Sequence, residues 1–365
     1  MRLEGLRSRL HSRRDDLRAL RIAVLAGGSS REREVSLVSG EAVATALIDA
    51  GYQAELLGVN PDDFTFERRL SAGRQPDALP VGDGPAQALQ PAVGGGITQY
   101  LRGGQLVFTT LHGTRGEDGV WQGMLELLDV PYVSAGVKGS ALAMDKLVSK
   151  RLFEQLGVPT PRYWVWRPER PCRAEVPAEF TKLVAKPVAQ GSSVGIAMIA
   201  NDAEGWHQVE QLSAEFGTMI IEQRIQGREL TAAVIGHSAE PAVLPLVEIR
   251  PVSREFYDYG AKYTKGETDY ICPAPVPEAQ VKLVQQHAAT IYRELDLGPY
   301  ARIDCMLDEA GVPWFLEANT LPGFTPLSLL PQAAAAAGVD FAELLELLIL
   351  LAFERWEAAR EVRDA

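Results

Sequence analysis

The stretch Ala301 to Thr320, ARIDCMLDEAGVPWFLEANT, constrains this chain more than any other segment, because it predicts both a local fold and a set of ligands on one face of it. ARIDCML alternates and is rich in strand formers, DEAG has turn chemistry, and VPWFLEAN reads as a second strand, so a β-hairpin is predicted. Pairing Leu307 with Val312 across the turn sets Arg302 opposite Glu317 and Asp304 opposite Phe315. Arg302, Asp304, Glu317 and Asn319 then share one face. Two carboxylates and an amide oxygen suit a hard cation that keeps water or phosphate as its other ligands, and magnesium held against a nucleotide is the natural occupant. The plain alternative is a solvated strand face of mixed charge. Against it stands the segment that follows at once, Leu321-Pro322-Gly323-Phe324-Thr325-Pro326, a rigid loop whose glycine lets a ligand approach the backbone.

With 365 residues, 46% hydrophobic and 23% charged, the chain can bury more than one core, and two or three domains are expected. A net charge of -12 argues against a nucleic-acid partner, so local lysines must handle any phosphate. Cys172, Cys272 and Cys305 show neither a CxxC nor a Cys/His ligand spacing, which fits a reducing cytoplasm rather than a disulfide framework or zinc site. No apolar run reaches transmembrane length. The first twenty residues are Arg-rich, with Leu3, Leu6, Leu10, Leu17 and Leu20 at roughly helical spacing; Ile22 to Ala26 is too short for a signal core and reads as a first strand. A frayed or surface-docked extension is expected there.

RIAVLAGG predicts a strand ending in a glycine turn, and SSREREVSLVSGEAVATALIDAG a helix closed by Gly51, an α/β opening. From Leu70 to Gly104 the chain is rich in Pro, Gly and Ala and reads as a long surface insertion. QLVFTTLHG resumes strand character. Helical patterns follow in VWQGMLELLD and in SALAMDKLVSKRLFEQLG, separated by VPYVSAG. LVAKPV and TMIIEQRI read as strands flanking a glycine-serine loop, Lys186 to Gly195, whose amides and strand-borne lysine could cover a triphosphate; a plain hairpin turn is the alternative. There is no GxxxxGK(S/T) P-loop and no full GxGxxG fingerprint.

Six stretches carry a resemblance: AGGSSREREVSLVSG, LHGTRGEDGVWQGMLELLDVPYVSAGV, ALAMDKLVSK, AKPVAQGSSVG, EFYDYGAKYTKGETDYICPAP, and ARIDCMLD with FLEANTLPGFTPLSLLP. In this order, from Ile22 to about Pro331, the chain resembles the D-alanine:D-alanine ligases of the ATP-grasp superfamily. The resemblance implies an α/β (α+β) fold of three domains with a Rossmann-like N-terminal domain and ATP clasped between two of them. Boundaries are expected near Ser134 and Gly227, giving an extension over 1–21, an N-terminal domain over 22–134, a central domain over 135–227 and a C-terminal domain over 228–365.

The implied reaction is ATP-dependent. The carboxylate of one D-alanine takes the γ-phosphoryl group, and the amine of a second attacks the acylphosphate. ATP and Mg²⁺ or Mn²⁺, two ions in all, are the implied cofactors. Carried over position by position, the resemblance assigns Lys146 and Lys186 to the ATP phosphates, Lys262 to the phosphate in transfer, and Glu222 and Glu229 to adenine and ribose. Asp304, Glu317 and Asn319 are the implied metal ligands. Glu32 would hold the ammonium of the first D-alanine within a hydrogen-bonded set with Ser192 and Tyr263, although Ser29-x-x-Glu32 also fits a capping box. His112 matches a substrate-site histidine. Arg302 and the amide of Gly323 would stabilise the oxyanion, and Ser328 would bind the carboxylate of the second D-alanine.

Ser253 to Cys272, with Tyr257, Tyr259, Lys262 and Tyr263, reads as a lid that keeps water from an acylphosphate. Joining D-alanine to D-lactate or D-serine is the alternative reaction, and a catalytically silent nucleotide-binding regulator is a reading of another class, which would have lost Glu32, Arg302 or the metal ligands. The apolar stretch Phe341 to Phe353 predicts a helix buried by packing or by a homodimer.

Overall fold

In a computed structural model, described for residues 3–28, 30, 32–60, 65–71, 97–101, 105–191, 194–251 and 268–364, the chain is built on three β-sheets. An N-terminal helix, α1 (Leu3–Arg18), precedes β1 (Arg21–Gly27), α2 (Arg33–Asp49), β2 (Gln53–Asn60), β3 (Thr65–Ser71), α3 (Ile97–Leu101), β4 (Gln105–Thr109), α4 (Val120–Leu127) and β5 (Tyr132–Val133). The first sheet has the order β3-β2-β1-β4-β5, parallel except for β3. Its central strand β1 is buried from Ile22 onward, as an apolar run covered on both faces should be. At Gly27 and Gly28 the chain turns with φ of 108° and 93°, a region that side chains disfavour. Helix α2 then packs back on β1 so closely that a Cβ on Gly40 would lie 2.5 Å from that of Ala26.

The region read as one insertion from Leu70 to Gly104 is not uniform. Leu70 and Ser71 end β3, paired with β2, and Ile97 and Leu101, four residues apart on α3, are both buried. The rest of that region lies outside the described residues.

The second part comprises α5 (Val137–Met144), α6 (Lys146–Gln155), β6 (Tyr163–Trp166), β7 (Lys182–Pro187), β8 (Ala197–Ala200), α7 (Ala203–Phe216) and β9 (Met219–Gln223), with an antiparallel sheet ordered β6-β9-β7-β8. Two expectations change here. The pattern SALAMDKLVSKRLFEQLG is two helices, because Asp145 caps α6 by accepting the Val148 amide at 2.9 Å. The strands flanking the glycine-serine loop are β7 and β8; β9 comes later in the chain, after α7, and pairs on the other side of β7.

The third part runs through β10 (Gly227–Ile235), β11 (Ala242–Val243), β12 (Val247–Pro251), β13 (Thr268–Ile271), α8 (Glu278–Glu294), β14 (Tyr300–Asp308), β15 (Pro313–Asn319), α9 (Leu329–Ala336) and α10 (Phe341–Asp364). Its antiparallel sheet is ordered β13-β12-β10-β14-β15, with β11 beside β10. One face shares a continuous core with the first sheet, α1 and α10, and the other packs on α8. The apolar part of α10 is enclosed by its own chain, against α1, α2, β5 and α9, so it offers no free face to a second copy.

Helix α1 is docked on α10. Leu6, Leu10 and Leu17 are buried, while Arg7 pairs with Glu343 at 2.6 Å, Arg13 with Glu357 at 2.6 Å and Arg14 with Glu346 at 2.7 Å. No helix among the described residues is long and apolar enough to cross a membrane.

Candidate active site

The β14–β15 hairpin differs from the predicted register in two compensating ways. Leu307 pairs with Pro313 rather than Val312, a slip of one residue that alone would turn every later side chain to the opposite face. A bulge at Leu316, where Cys305 pairs with Phe315 but Asp304 with Glu317, turns them back. Asp304 is thus opposite Glu317 and Arg302 opposite Asn319, and the four polar residues still share a face.

Two cavities meet along that face. The larger, about 600 Å³, is lined by Lys186, Glu222, Glu229, Asp304 and Glu317. Its apolar walls come from Val184, Ile196, Met198, Met306 and Leu316. The other, about 540 Å³, is lined by Glu32, His112, Arg302, Asn319, Gly323 and Ser328. Although the four polar residues share a face, Arg302 and Asn319 line one cavity and Asp304 and Glu317 the other, because the boundary between the cavities falls between these two cross-strand pairs along the hairpin.

Charges in the larger cavity are paired within the chain. Lys186 Nζ lies 2.7 Å from Glu222 Oε2, and Lys150 Nζ lies 2.9 Å from Glu222 Oε1. Lys146, the first residue of α6 rather than a solvated mid-helix lysine, is buried; its Nζ donates to the Gln190 carbonyl at 2.6 Å and sits 3.3 Å from Glu317. Burial pushes the Glu222 carboxyl up, but Lys150 and Lys186 outweigh it and hold it below the usual carboxylate range. For Lys186, burial lowers the ammonium and Glu222, Glu317 and Glu229 together raise it beyond its ordinary value. For Lys150, burial and the Lys186 charge outweigh the support of Glu222 and Glu154, so it is lowered.

Asp304 is the most heavily engaged acid. It accepts from Arg302 Nε at 3.0 Å and from Arg302 Nη2 at 2.9 Å, and also from Thr231 Oγ1 and from Asn319 Nδ2 at 3.0 Å. Because Asn319 turns its Nδ2 to Asp304, its Oδ1 is left for a cation. Among the described residues no group of three or more His, Cys, Asp or Glu side chains could hold a metal alone. Two carboxylates and an amide fit Mg²⁺ whose shell is completed by phosphate oxygens and water.

The second cavity sets backbone and hydroxyl dipoles beside the charged groups of Glu32, Glu117 and Arg302. Glu32 is buried at the N-cap position of α2, so the predicted capping box is not formed: Glu32 stands at the cap itself, its side chain accepts no cap hydrogen bond, and its amide donates to Ser30 Oγ at 3.2 Å. Gly191 approaches Glu32 so closely that a Cβ there would lie 3.1 Å from Glu32 Oε2. His112 is buried with Nε2 lacking a partner among the described residues, while Nδ1 lies 3.7 Å from Glu117 Oε1. Burial disfavours the charged imidazole, but Glu117, then Glu32 and the Leu321 backbone, outweigh it and raise its pKa above 6.5. Gly323 abuts Ser328, which occupies the N-cap of α9 and whose Oγ accepts the Thr325 amide at 3.0 Å. The Phe324 amide in turn donates to Ser39 Oγ of α2 at 3.2 Å.

Ser192, Lys262 and Tyr263 lie outside the described residues, as does most of the segment read as a lid. Its end, Thr268 to Ile271, is strand β13, which brings Tyr270 to the wall of the second cavity.

Sequence reasoning passed over Lys150, Glu117 and Ser39. Lys150 follows Lys146 by four residues on α6, and that shared face was a readable signal. Glu117 closes the turn after His112, accepting the Gly113 amide at 3.0 Å. Nothing local marked Ser39, whose partner is 285 residues away.

Fold and site together define the ATP-grasp class. Residues 21–135 match the family model described as D-ala D-ala ligase N-terminus and residues 152–350 the one described as D-ala D-ala ligase C-terminus. A D-alanine--D-alanine ligase of Bordetella petrii is 40% identical over 335 residues, 91% of this chain and 92% of that protein. One from Synechococcus sp. (strain JA-3-3Ab) is 38% identical over 92% of this chain and 94% of its own length. Among solved structures, the Bacillus anthracis D-alanine--D-alanine ligase complexed with ATP superposes with a TM-score of 0.75 at 27% identity, covering 93% of this chain and 99% of that one. The VanG D-Ala:D-Ser ligase of Enterococcus faecalis gives 0.74 at 30% identity over 91% and 99%. The chain belongs to the D-alanine--D-alanine ligase family.

Proposed function

We propose that this chain joins two D-alanine molecules to D-alanyl-D-alanine at the expense of ATP, with ADP and phosphate as products, in a bacterial cytoplasm for cell-wall precursor synthesis. The observation that carries this reading is the shared ridge: one hairpin presents Asp304 and Glu317 to a nucleotide-sized cavity and Arg302 and Asn319 to a smaller, dipole-lined one. A phosphoryl group bound on one side is thereby within reach of a carboxylate bound on the other.

The proposed residue roles are those the family resemblance implies, and for the described residues the lining of the two cavities supports them. Glu222 and Glu229 take the adenine and ribose, Lys146, Lys186 and Lys262 the phosphates. Asp304, Glu317 and Asn319 hold Mg²⁺ or Mn²⁺, which when bound screens the triphosphate charge against an approaching carboxylate. Glu32, with Ser192 and Tyr263, binds the ammonium of the first D-alanine, and His112 faces its carboxylate. That carboxylate attacks the γ-phosphorus as the bond to the β-phosphate oxygen breaks. The second amine then attacks the acylphosphate carbon, and Arg302 and the Gly323 amide hold the resulting oxyanion until phosphate leaves. The carboxylate of the second D-alanine is met by Ser328 and the N-terminus of α9, where free amides and the helix dipole favour an anion.

The three sheets support a division into three domains near Ser134 and Gly227. Self-association would have to use a face other than the apolar part of α10. The test is phosphate release from ATP and Mg²⁺ with D-alanine alone, then with D-lactate or D-serine, products being identified by mass. Dipeptide from D-alanine alone is the expected result. Activity only with an added acceptor would replace it with the mixed ligation, and no turnover with retained nucleotide binding would leave a silent regulator.

A further inference from the structure

Glu222 is one carboxylate with two ammonium partners, and only one of them has a role in the reaction. Lys186 and Lys150 approach its two oxygens at 2.7 and 2.9 Å. Lys150 is wholly enclosed, donating also to Thr160 Oγ1 at 2.5 Å and lying 5.3 Å from the Tyr163 ring centroid. Thr160 Oγ1 donates in turn to the Phe315 carbonyl at 2.8 Å, so the Lys150 contact is anchored to β15, the strand that carries Glu317. Lys186, by contrast, lies at the cavity wall. Phosphates arriving there compete with Glu222 for its ammonium. If Lys186 were the only counter-ion, each binding event would strand a buried carboxylate, a costly state.

We propose that Lys150 is a positioning residue for the nucleotide: it is the permanent counter-ion of Glu222, which frees Lys186 to exchange that carboxylate for the ATP phosphates. The proposal rests on the assignment of Lys186 and Glu222 to the nucleotide. Two lysines on one acid leave a surplus positive charge on Glu222's side of the cavity, where the triphosphate would lie, and Lys150 makes that surplus possible without touching ligand itself. Arranged this way, the loss of Lys150 does more than loosen packing. It converts a shared carboxylate into a one-to-one pair with Lys186 and withdraws Lys186 from the phosphates.

The experiment is calorimetric titration of the full-length chain with a non-hydrolysable ATP analogue and Mg²⁺, comparing Lys150→Met, Glu222→Gln, the double variant, and Lys186→Met. Lys150→Met is expected to weaken analogue binding roughly 10- to 100-fold, the range for a lost charge-assisted contact to phosphate, while the KM for D-alanine stays within about 2-fold. The discriminating result is the double variant. With Glu222 neutral, Lys186 loses its 2.7 Å partner and keeps only the more distant charges of Glu317 and Glu229, so the double variant should bind the analogue at least ~5-fold more tightly than Lys150→Met alone, an interaction term of opposite sign to additive damage. A double variant as weak as Lys150→Met, or weaker, overturns the proposal and leaves Lys150 a packing residue. If Glu222→Gln and Lys186→Met both bind as the wild type does, the nucleotide assignment fails and takes this proposal with it. Should Lys150→Met not fold, Thr160→Val carries the test, since it loosens the ammonium without removing it: a loss of a few fold in analogue affinity supports the role, and none overturns it.

Discussion

The two cavities on either side of the β14–β15 ridge solve opposite electrostatic problems. On the nucleotide side the ligating groups are already spent on each other: Lys186 on Glu222, Lys146 on Glu317, Arg302 on Asp304. The carboxylates Glu222, Glu229, Glu248, Asp304 and Glu317 line this cavity together with Lys182, Lys186, Arg224, Arg228 and Arg250, and Lys146 and Lys150 pair with Glu317 and Glu222 from behind, so its acids are partnered, with cations in excess, before ATP and metal arrive. On the other side, beside Glu32, Glu117 and Arg302, stand backbone amides, hydroxyls, a helix N-terminus and an imidazole nitrogen without a partner among the described residues. The first cavity must exchange partners to bind; the second needs only to be filled. Exchange suits a cofactor that brings its own compensating charge, and fixed dipoles suit a transition state whose charge appears only during reaction.

Substitution of Glu317 should break this contrast most strongly. Glu317→Gln removes a proposed metal ligand and also the carboxylate 3.3 Å from Lys146, so Mg²⁺-dependent kcat should fall ~10²- to 10³-fold, the scale of a lost electrostatic contact at the reacting centre. The melting temperature should move little, because Glu317 is on the cavity surface. Metal-free ATP binding should hold or tighten as Lys146 is freed, and that pairing of effects is specific to a partner-exchange site. An unchanged turnover would remove Glu317 from the metal set.

The next effect is smaller and belongs to the dipole-lined side. His112 has its pKa raised above 6.5 by Glu117 and Glu32 against the pull of burial. The imidazolium therefore persists to higher pH than a free histidine, and its contribution, complete below 6.5, is lost as pH rises through the raised value. The KM for the first D-alanine should climb across that window. Glu117→Gln removes the principal raising group and should bring the inflection to lower pH, with KM higher by ~3- to 10-fold near neutrality, about 1 kcal/mol of charge interaction. A KM–pH profile identical in the two proteins would take His112 charge out of substrate binding.

These regions were also unequally legible in the sequence. The hairpin face was readable because its period is two, yet the one-residue slip and the Leu316 bulge were not, and the face survived only because two odd shifts sum to an even one. Local pattern ran SALAMDKLVSKRLFEQLG together as one helix, since Asp145 is as ordinary inside an amphipathic run as at a cap until the backbone is seen to turn. Composition pointed to local lysines as the groups for any phosphate in an acidic chain. It could not tell that Lys150, on the same helix face as Lys146, would be buried away from ligand. The Glu346 carboxylate, met by Arg14 of α1 and by Tyr52 just before β2, was invisible for the same reason: its partners are 332 and 294 residues distant.

Ser39 sharpens the contrast at its smallest scale. Its Oγ accepts the Phe324 amide at 3.2 Å, joining α2, which carries Glu32 at its start, to the loop that presents the Gly323 amide. Ser39→Ala leaves a buried amide without its acceptor, worth about 1–2 kcal/mol. Not all of this reaches the loop, because the Phe324 ring remains clasped edge-on by Phe108 and Tyr300, with centroids 5.5 and 5.1 Å away. The expected result is a kcat lower by ~3- to 10-fold, from a slightly misplaced oxyanion donor, with ATP affinity unaltered. A preorganised dipole loses transition-state stabilisation when its support is relaxed, whereas a partner-exchange site would lose ground-state binding. A Ser39→Ala protein whose KM for ATP rises while kcat holds would therefore mean that α2 supports the nucleotide side instead, and the division between the two cavities would have to be redrawn.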